Sequence, residues 1–219
     1  MRKSFRLLAM MVVVIGMTVM GADLAKATNV TFDFTACPSG VSCPGDFGTN
    51  TATYTSSGMS IVAWGYGSSG TAQPLDLFLK DGPTDEDGLG LNPSADNEVN
   101  PGQYIYLDMS NLVSHGLFSG IVGLGSIQSG ETGSICTTTA VGMPGSVCTS
   151  VTDSGGSMGS ANVTWSASDP ILSITASSGS VLIVNGIIAA TPEPASLSLF
   201  GIGLLGVAFL FRRQLKAVV

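Results

Sequence analysis

The chain has 219 residues, with 8 Lys+Arg against 15 Asp+Glu, one His, four Cys, 29 Gly and a formal net charge of −7. Charged residues make up 11%, about half the usual globular share of ~25%, which excludes a chain held open by its own charge. The mean hydropathy of +0.42 comes from two apolar runs near the ends rather than from the middle.

The first predicted element is an export signal. Arg2, Lys3 and Arg6 form a basic start, residues 7–20 are an unbroken apolar run, and Ala25-Lys26-Ala27 supplies an A-x-A site before Thr28. This order predicts a secretory signal peptide over 1–27, its apolar part too short for a span of ~20 residues. Residues 28–190 remain as one ectodomain, long enough for a sizeable core. Lys80 is its only Lys or Arg, against thirteen Asp and Glu. Such a surface cannot neutralise phosphates, so nucleic acid is excluded as a partner, whereas cations, neutral glycans and basic partners suit it.

Within the ectodomain the apolar period is two, which predicts strands. Val30, Phe32 and Phe34 alternate with Thr31, Asp33 and Thr35, and the run 59–66 follows. Leu75, Leu77 and Leu79 alternate with Asp76, Phe78 and Lys80, and Tyr104, Tyr106 and Asp108 with Ile105, Leu107 and Met109. Further strands are predicted over 117–127, 161–165, 171–175 and 180–188, with 150–160 a Gly/Ser-rich loop and no capped amphipathic helix. Roughly eight short strands with turn-rich joints predict a mainly β fold, an antiparallel β-sandwich of jelly-roll type. Cys37 and Cys43 bracket one Gly/Pro-containing loop, and Cys136 and Cys148 another. Of three connectivities, local pairing is expected, in an oxidising compartment.

At the far end, 191–194 (Thr-Pro-Glu-Pro) leads into 195–211, an uncharged run of apolar and small residues, and then into Arg212, Arg213 and Lys216. As a helix the run would reach about 26 Å, just short of a hydrocarbon core of ~30 Å. A transmembrane helix is therefore predicted over 195–211, with the basic tail inside and the ectodomain outside.

Pro192-Glu193-Pro194, the short Gly-containing span and Arg212-Arg213 together resemble the PEP-CTERM protein-sorting signal of Gram-negative bacteria. The resemblance implies that an exosortase recognises Pro192, Glu193 and Pro194, with Arg212 and Arg213 orienting the span. It also implies transient anchoring in the inner membrane and delivery to an exopolysaccharide-rich envelope or biofilm matrix. The middle is similar to ectodomains that accompany such tails, in 88–91, in 97–100 with 103–108 after it, and in 124–132. That likeness implies an envelope β-sandwich and assigns no catalytic residue.

Four further patterns carry candidate chemistry. Gly65-Tyr66-Gly67-Ser68-Ser69-Gly70 matches G-x-G-x-x-G, but Pro74 and a strand follow where a dinucleotide site needs a helix. Gly155-Gly156-Ser157-Met158-Gly159 matches G-x-S-x-G, but the only His, His115, precedes it, where an elbow nucleophile needs one after it. Asp85, Asp87, Asp96 and Glu98 are the candidate ligands of a hard cation such as Ca2+, without an EF-hand pattern. Trp64 and Tyr66 are the candidate glycan-stacking residues, with Tyr104, Tyr106 and Trp165 as further aromatics. The expected role is structural or adhesive and tied to exopolysaccharide, with a carbohydrate-binding module as the alternative. No enzymatic activity is expected, and no cofactor beyond Ca2+.

Overall fold

The computed structural model describes residues 29–67, 73–83, 85–94, 96–184 and 188–190. Fifteen strands and one short helix occur in it: β1 (Asn29–Thr31), β2 (Gly45–Asp46), β3 (Thr51–Ser56), β4 (Met59–Gly67), β5 (Gln73–Pro74), β6 (Asp76–Lys80), β7 (Gly88–Asn92), β8 (Tyr104–Asp108), α1 (Ser110–Ser114), β9 (Ser119–Gly125), β10 (Thr132–Thr138), β11 (Val147–Thr152), β12 (Gly159–Thr164), β13 (Ile171–Ser178), β14 (Leu182–Ile183) and β15 (Ile188–Ala190). The first sheet runs β1-β15-β9-β14-β7-β6-β2, with β12 also on β9; the second runs β11-β10-β13-β8-β4-β3, with β5 also on β4. Every strand pair is antiparallel.

The alternation read from the sequence is what welds the sheets together. Val30, Leu77, Leu91, Val122 and Leu124 of the first sheet share one buried cluster with Ile61, Ala63, Ile105, Leu107, Leu172 and Ile174 of the second. Each fully buried Leu or Ile of this kind contributes about 1.5–3 kcal/mol of transfer free energy. Phe32 and Phe34 continue the alternation past the end of β1 and stay buried without a ladder. Two antiparallel sheets around a common core agree with the expected sandwich.

Several boundaries differ from the expectation. β2, β3, β5, β7, β10 and β11 lie outside the predicted strands, and the run 180–188 is divided between β14 and β15. β7 hides because Gly88 to Leu91 are buried at four successive positions, so no alternation shows. Gly90 is needed there: a Cβ would stand 2.0 Å from the Asn97 carbonyl oxygen. β3 and β4 are joined by Ser57 and Gly58, with φ of 50° and 78°, the two-residue connection whose twist suits a hairpin. The loop expected over 150–160 shrinks to 153–158, since β11 and β12 take its ends. α1 is five residues long and carries Leu112 into the core. Both disulfides pair locally, Cys37 with Cys43 and Cys136 with Cys148, and no described cysteine is free. Cys136 and Cys148 also lie directly opposite each other in the β10–β11 ladder.

The predicted signal peptide (1–27) and the predicted span (195–211) fall outside the described residues, as do Pro192, Glu193, Pro194, Arg212 and Arg213. Among the described residues no helix is long and apolar enough to cross a membrane.

Candidate functional site: an aromatic face and a buried ion pair

Strand geometry turns Ile61, Ala63 and Gly65 of β4 toward the core, and therefore Val62, Trp64 and Tyr66 to the opposite face. β8 does the same, with Ile105 and Leu107 inward and Tyr104, Tyr106 and Asp108 outward. Register then aligns them: Trp64 stands opposite Tyr106, and Tyr66 opposite Tyr104. Pro74 of β5 flanks Tyr66 on its other side. The row through Trp64 and Tyr106 continues across the sheet to Ser173, Cys136 and Cys148.

Tyr106 lies at the centre of this cluster and is 2% exposed. Its ring meets Tyr66 edge-on at 5.6 Å and stacks with Tyr104 at 5.9 Å, contacts worth about 0.5–1.5 kcal/mol each beyond burial. Burial first, then the neighbouring phenols of Tyr104 and Tyr66, push the Tyr106 hydroxyl up to about 12, against a smaller opposing pull from Ser173. Trp64, Tyr66 and Tyr104 are half-buried, and the Trp64 indole nitrogen is itself buried. Among the described residues Asp108 is the single charged group in the strands of this sheet, and Thr and Ser fill most other outward positions. A neutral, hydroxyl-bearing face with an aromatic strip is suited to the apolar faces of neutral sugars. It offers nothing to an anionic ligand.

Of the five aromatics considered from sequence, four meet on this face. Trp165 does not. It is 4% exposed, belongs to the core cluster, and its indole Nε1–H donates to the Leu117 carbonyl oxygen at 2.8 Å.

The second polar constellation is internal. Glu98 is 3% exposed. Its Oε1 accepts from the Lys80 ammonium and from the Ser126 hydroxyl at 2.9 Å, and its Oε2 accepts from the Ser180 hydroxyl at 2.5 Å. Lys80 also reaches Glu86 at 3.2 Å. Burial by itself would lower the Lys80 ammonium; Glu98 and Glu86 outweigh it and hold it above the ordinary lysine range. Ser126 adopts a left-handed φ of 58°, and its N–H donates to the Asp85 carbonyl oxygen, which aims its hydroxyl at Glu98. The ectodomain's single lysine thus ties the end of β6 to the connecting segments that carry Glu86 and Glu98.

Two of the four candidate cation ligands, Asp96 and Glu98, are engaged elsewhere, while Asp85 takes part through its backbone oxygen, which accepts the Ser126 N–H. Glu98 is committed to Lys80 and the two serines. Asp96 Oδ1 accepts from the Glu98 N–H and the Asn100 amide, both at 3.2 Å, and from Ser94. Burial would raise Asp96, but the Glu98 N–H first, then the Asn100 amide and Ser180, bring it below the usual carboxylate range. Asp87 is raised, by burial and then by Asp81 and Asp33. Among the described residues no group of three His, Cys, Asp or Glu side chains is placed to hold a metal ion.

The two glycine motifs serve packing. A Cβ at Gly65 would stand 2.4 Å from the Leu75 carbonyl oxygen, and Gly67 ends a strand rather than opening a helix. Gly159 lies against the Thr152 carbonyl oxygen where β11 turns into β12, and Ser157 accepts the Ile127 N–H through its backbone oxygen. His115 closes α1, its Nδ1 2.8 Å from the Asn111 carbonyl oxygen.

Comparison with known proteins assigns the far end of the chain. The family model for the PEP-CTERM protein-sorting motif matches residues 190–214, a stretch that includes Pro192, Glu193, Pro194, Arg212 and Arg213. No curated protein matches the chain, and no solved structure does.

Proposed function

We infer from its PEP-CTERM protein-sorting motif that this chain is an exported, envelope-targeted protein handed to an exosortase, and that its sandwich has a structural or adhesive role outside the cell. The match over 190–214 carries the reading. The order of charges supports it: a basic start before an apolar run and an A-x-A site, then a basic end after the second apolar run, an arrangement that places 28–190 outside. The experiment is the intact mass of the protein from envelope and medium fractions of producing cells. A chain from Thr28 to 192–194 is expected. A mature chain that still carries 195–219 would overturn processing at the motif.

A second reading is favoured by the aromatic face: the sandwich binds a neutral polysaccharide of the producing cell's matrix. The Trp64→Ala/Tyr66→Ala double variant should lose at least about tenfold in affinity for that polysaccharide, or ~1.4 kcal/mol. Both rings are half-buried and Tyr66 meets Tyr106, so the variant loses some stability and its binding is read well below its unfolding midpoint. Retention equal to the parent protein on a polysaccharide affinity gel would remove the reading.

A further inference from the structure

The sandwich closes on its own ends, at the place where the sorting motif begins. β1 and β15 pair along their whole length, Asn29 with Ala190, Val30 with Ala189 and Thr31 with Ile188. On its other side β15 pairs with β9, Ile188 with Ile121 and Ala189 with Gly120. The motif match starts at residue 190, so motif and ladder share Ala190. The expected signal cleavage after Ala27 falls just before Asn29 in the chain, and the ladder partner of Asn29 is Ala190, the first residue of the motif match. Only 191–194 separate Ala190 from the apolar run at 195, and four extended residues reach at most about 14 Å.

A protease that takes its substrate as an added strand needs free backbone groups on that substrate. Pro192 and Pro194 lack an N–H. Toward the N-terminal side only Thr191 stands between them and β15, whose residues are paired with β1 and, at Ile188 and Ala189, with β9. We propose that β15 is a latch on sorting: the exosortase engages the motif only when β15 leaves its place between β1 and β9. The proposal rests on the sorting function inferred above. A three-residue strand opens at far lower free energy than the whole domain. Where reclosing outruns cleavage, the rate follows the population of the open form. Processing is then tied to the ectodomain's own closing ladder, and a tighter latch keeps the protein membrane-bound for longer.

The test follows loss of the full-length precursor by pulse–chase in cells that make the exosortase. Inserting six Gly/Ser residues between Ala190 and Thr191 frees the motif from the ladder and should speed processing at least severalfold. Val30→Cys/Ala189→Cys places cysteines at directly opposed positions, a separation that suits a disulfide, and should slow it by a similar factor. The insertion needs no new bond, so it decides the matter if the cross-link does not form. Processing of the insertion variant at the parental rate overturns the latch. Pro192→Ala/Pro194→Ala, added to the insertion, distinguishes the two ideas: if that chain is still cleaved, motif recognition itself has failed rather than the latch.

Discussion

Lys80→Met should cost the ectodomain about 3–5 kcal/mol, the usual penalty for removing one partner of a buried pair and a large share of the 5–15 kcal/mol that holds a typical domain folded. The loss arises from Glu98, whose side chain is 4% exposed and would be left with only the Ser126 and Ser180 hydroxyls as partners. Glu98→Gln should cost less, because the ammonium retains Glu86, whose side chain is 38% exposed and still solvated. Lys80→Met/Glu98→Leu should recover much of the loss, since an apolar pair of similar volume removes both charges from the interior. Urea midpoints of the three variants check the order. Equal losses for Lys80→Met and Glu98→Gln would show that the pair is not what the network protects.

The same pair sets an alkaline limit. Lys80 is held charged above its unfolded value, so its contribution is complete below about pH 10 and is lost as pH rises through the folded value. Tyr106, pushed up to about 12, acts in the same direction between the unfolded tyrosine value of ~10 and its own. Stability should therefore fall above about pH 10 in the parent, with a weaker slope in Lys80→Met.

Replacing Pro192, Glu193 and Pro194 by alanine should stop processing and leave a membrane-bound precursor that retains 195–219. Proline costs about 3 kcal/mol relative to alanine inside a helix, so two prolines would disfavour any helix running back from 195 through the motif. With alanine in their place that helix can extend toward the ectodomain and close the extended segment a protease requires. Pro192→Ala/Pro194→Ala with Glu193 retained separates backbone shape from side-chain recognition. Intact mass of the membrane fraction reads both variants, and a parental mass in the medium would refute the role of the motif.

Sequence alone pointed to the sorting tail at the far end of this chain. A signal peptide and a sorting tail are continuous stretches whose charge order and apolar length can be read one residue after another, and the family match at 190–214 coincides with the tail so identified. It also determined the β class, because each sheet buries one face and strands such as Tyr104–Asp108 alternate visibly. Local cysteine pairing was legible for a similar reason, each pair closing a short loop. β7 was not legible, being buried on both faces. β14 and β15, lying in succession along one edge of β9, read as a single run. Only tertiary structure decided which aromatics meet: register sets Trp64, Tyr66, Tyr104 and Tyr106 on one face, while Trp165, equally aromatic in sequence, goes into the core. Only it decided that Lys80 and Glu98, eighteen residues apart, form a buried pair rather than two solvated charges. Register and long-range pairing depend on loop closures that no local pattern encodes, and they gave this acidic surface its aromatic face and its closing ladder.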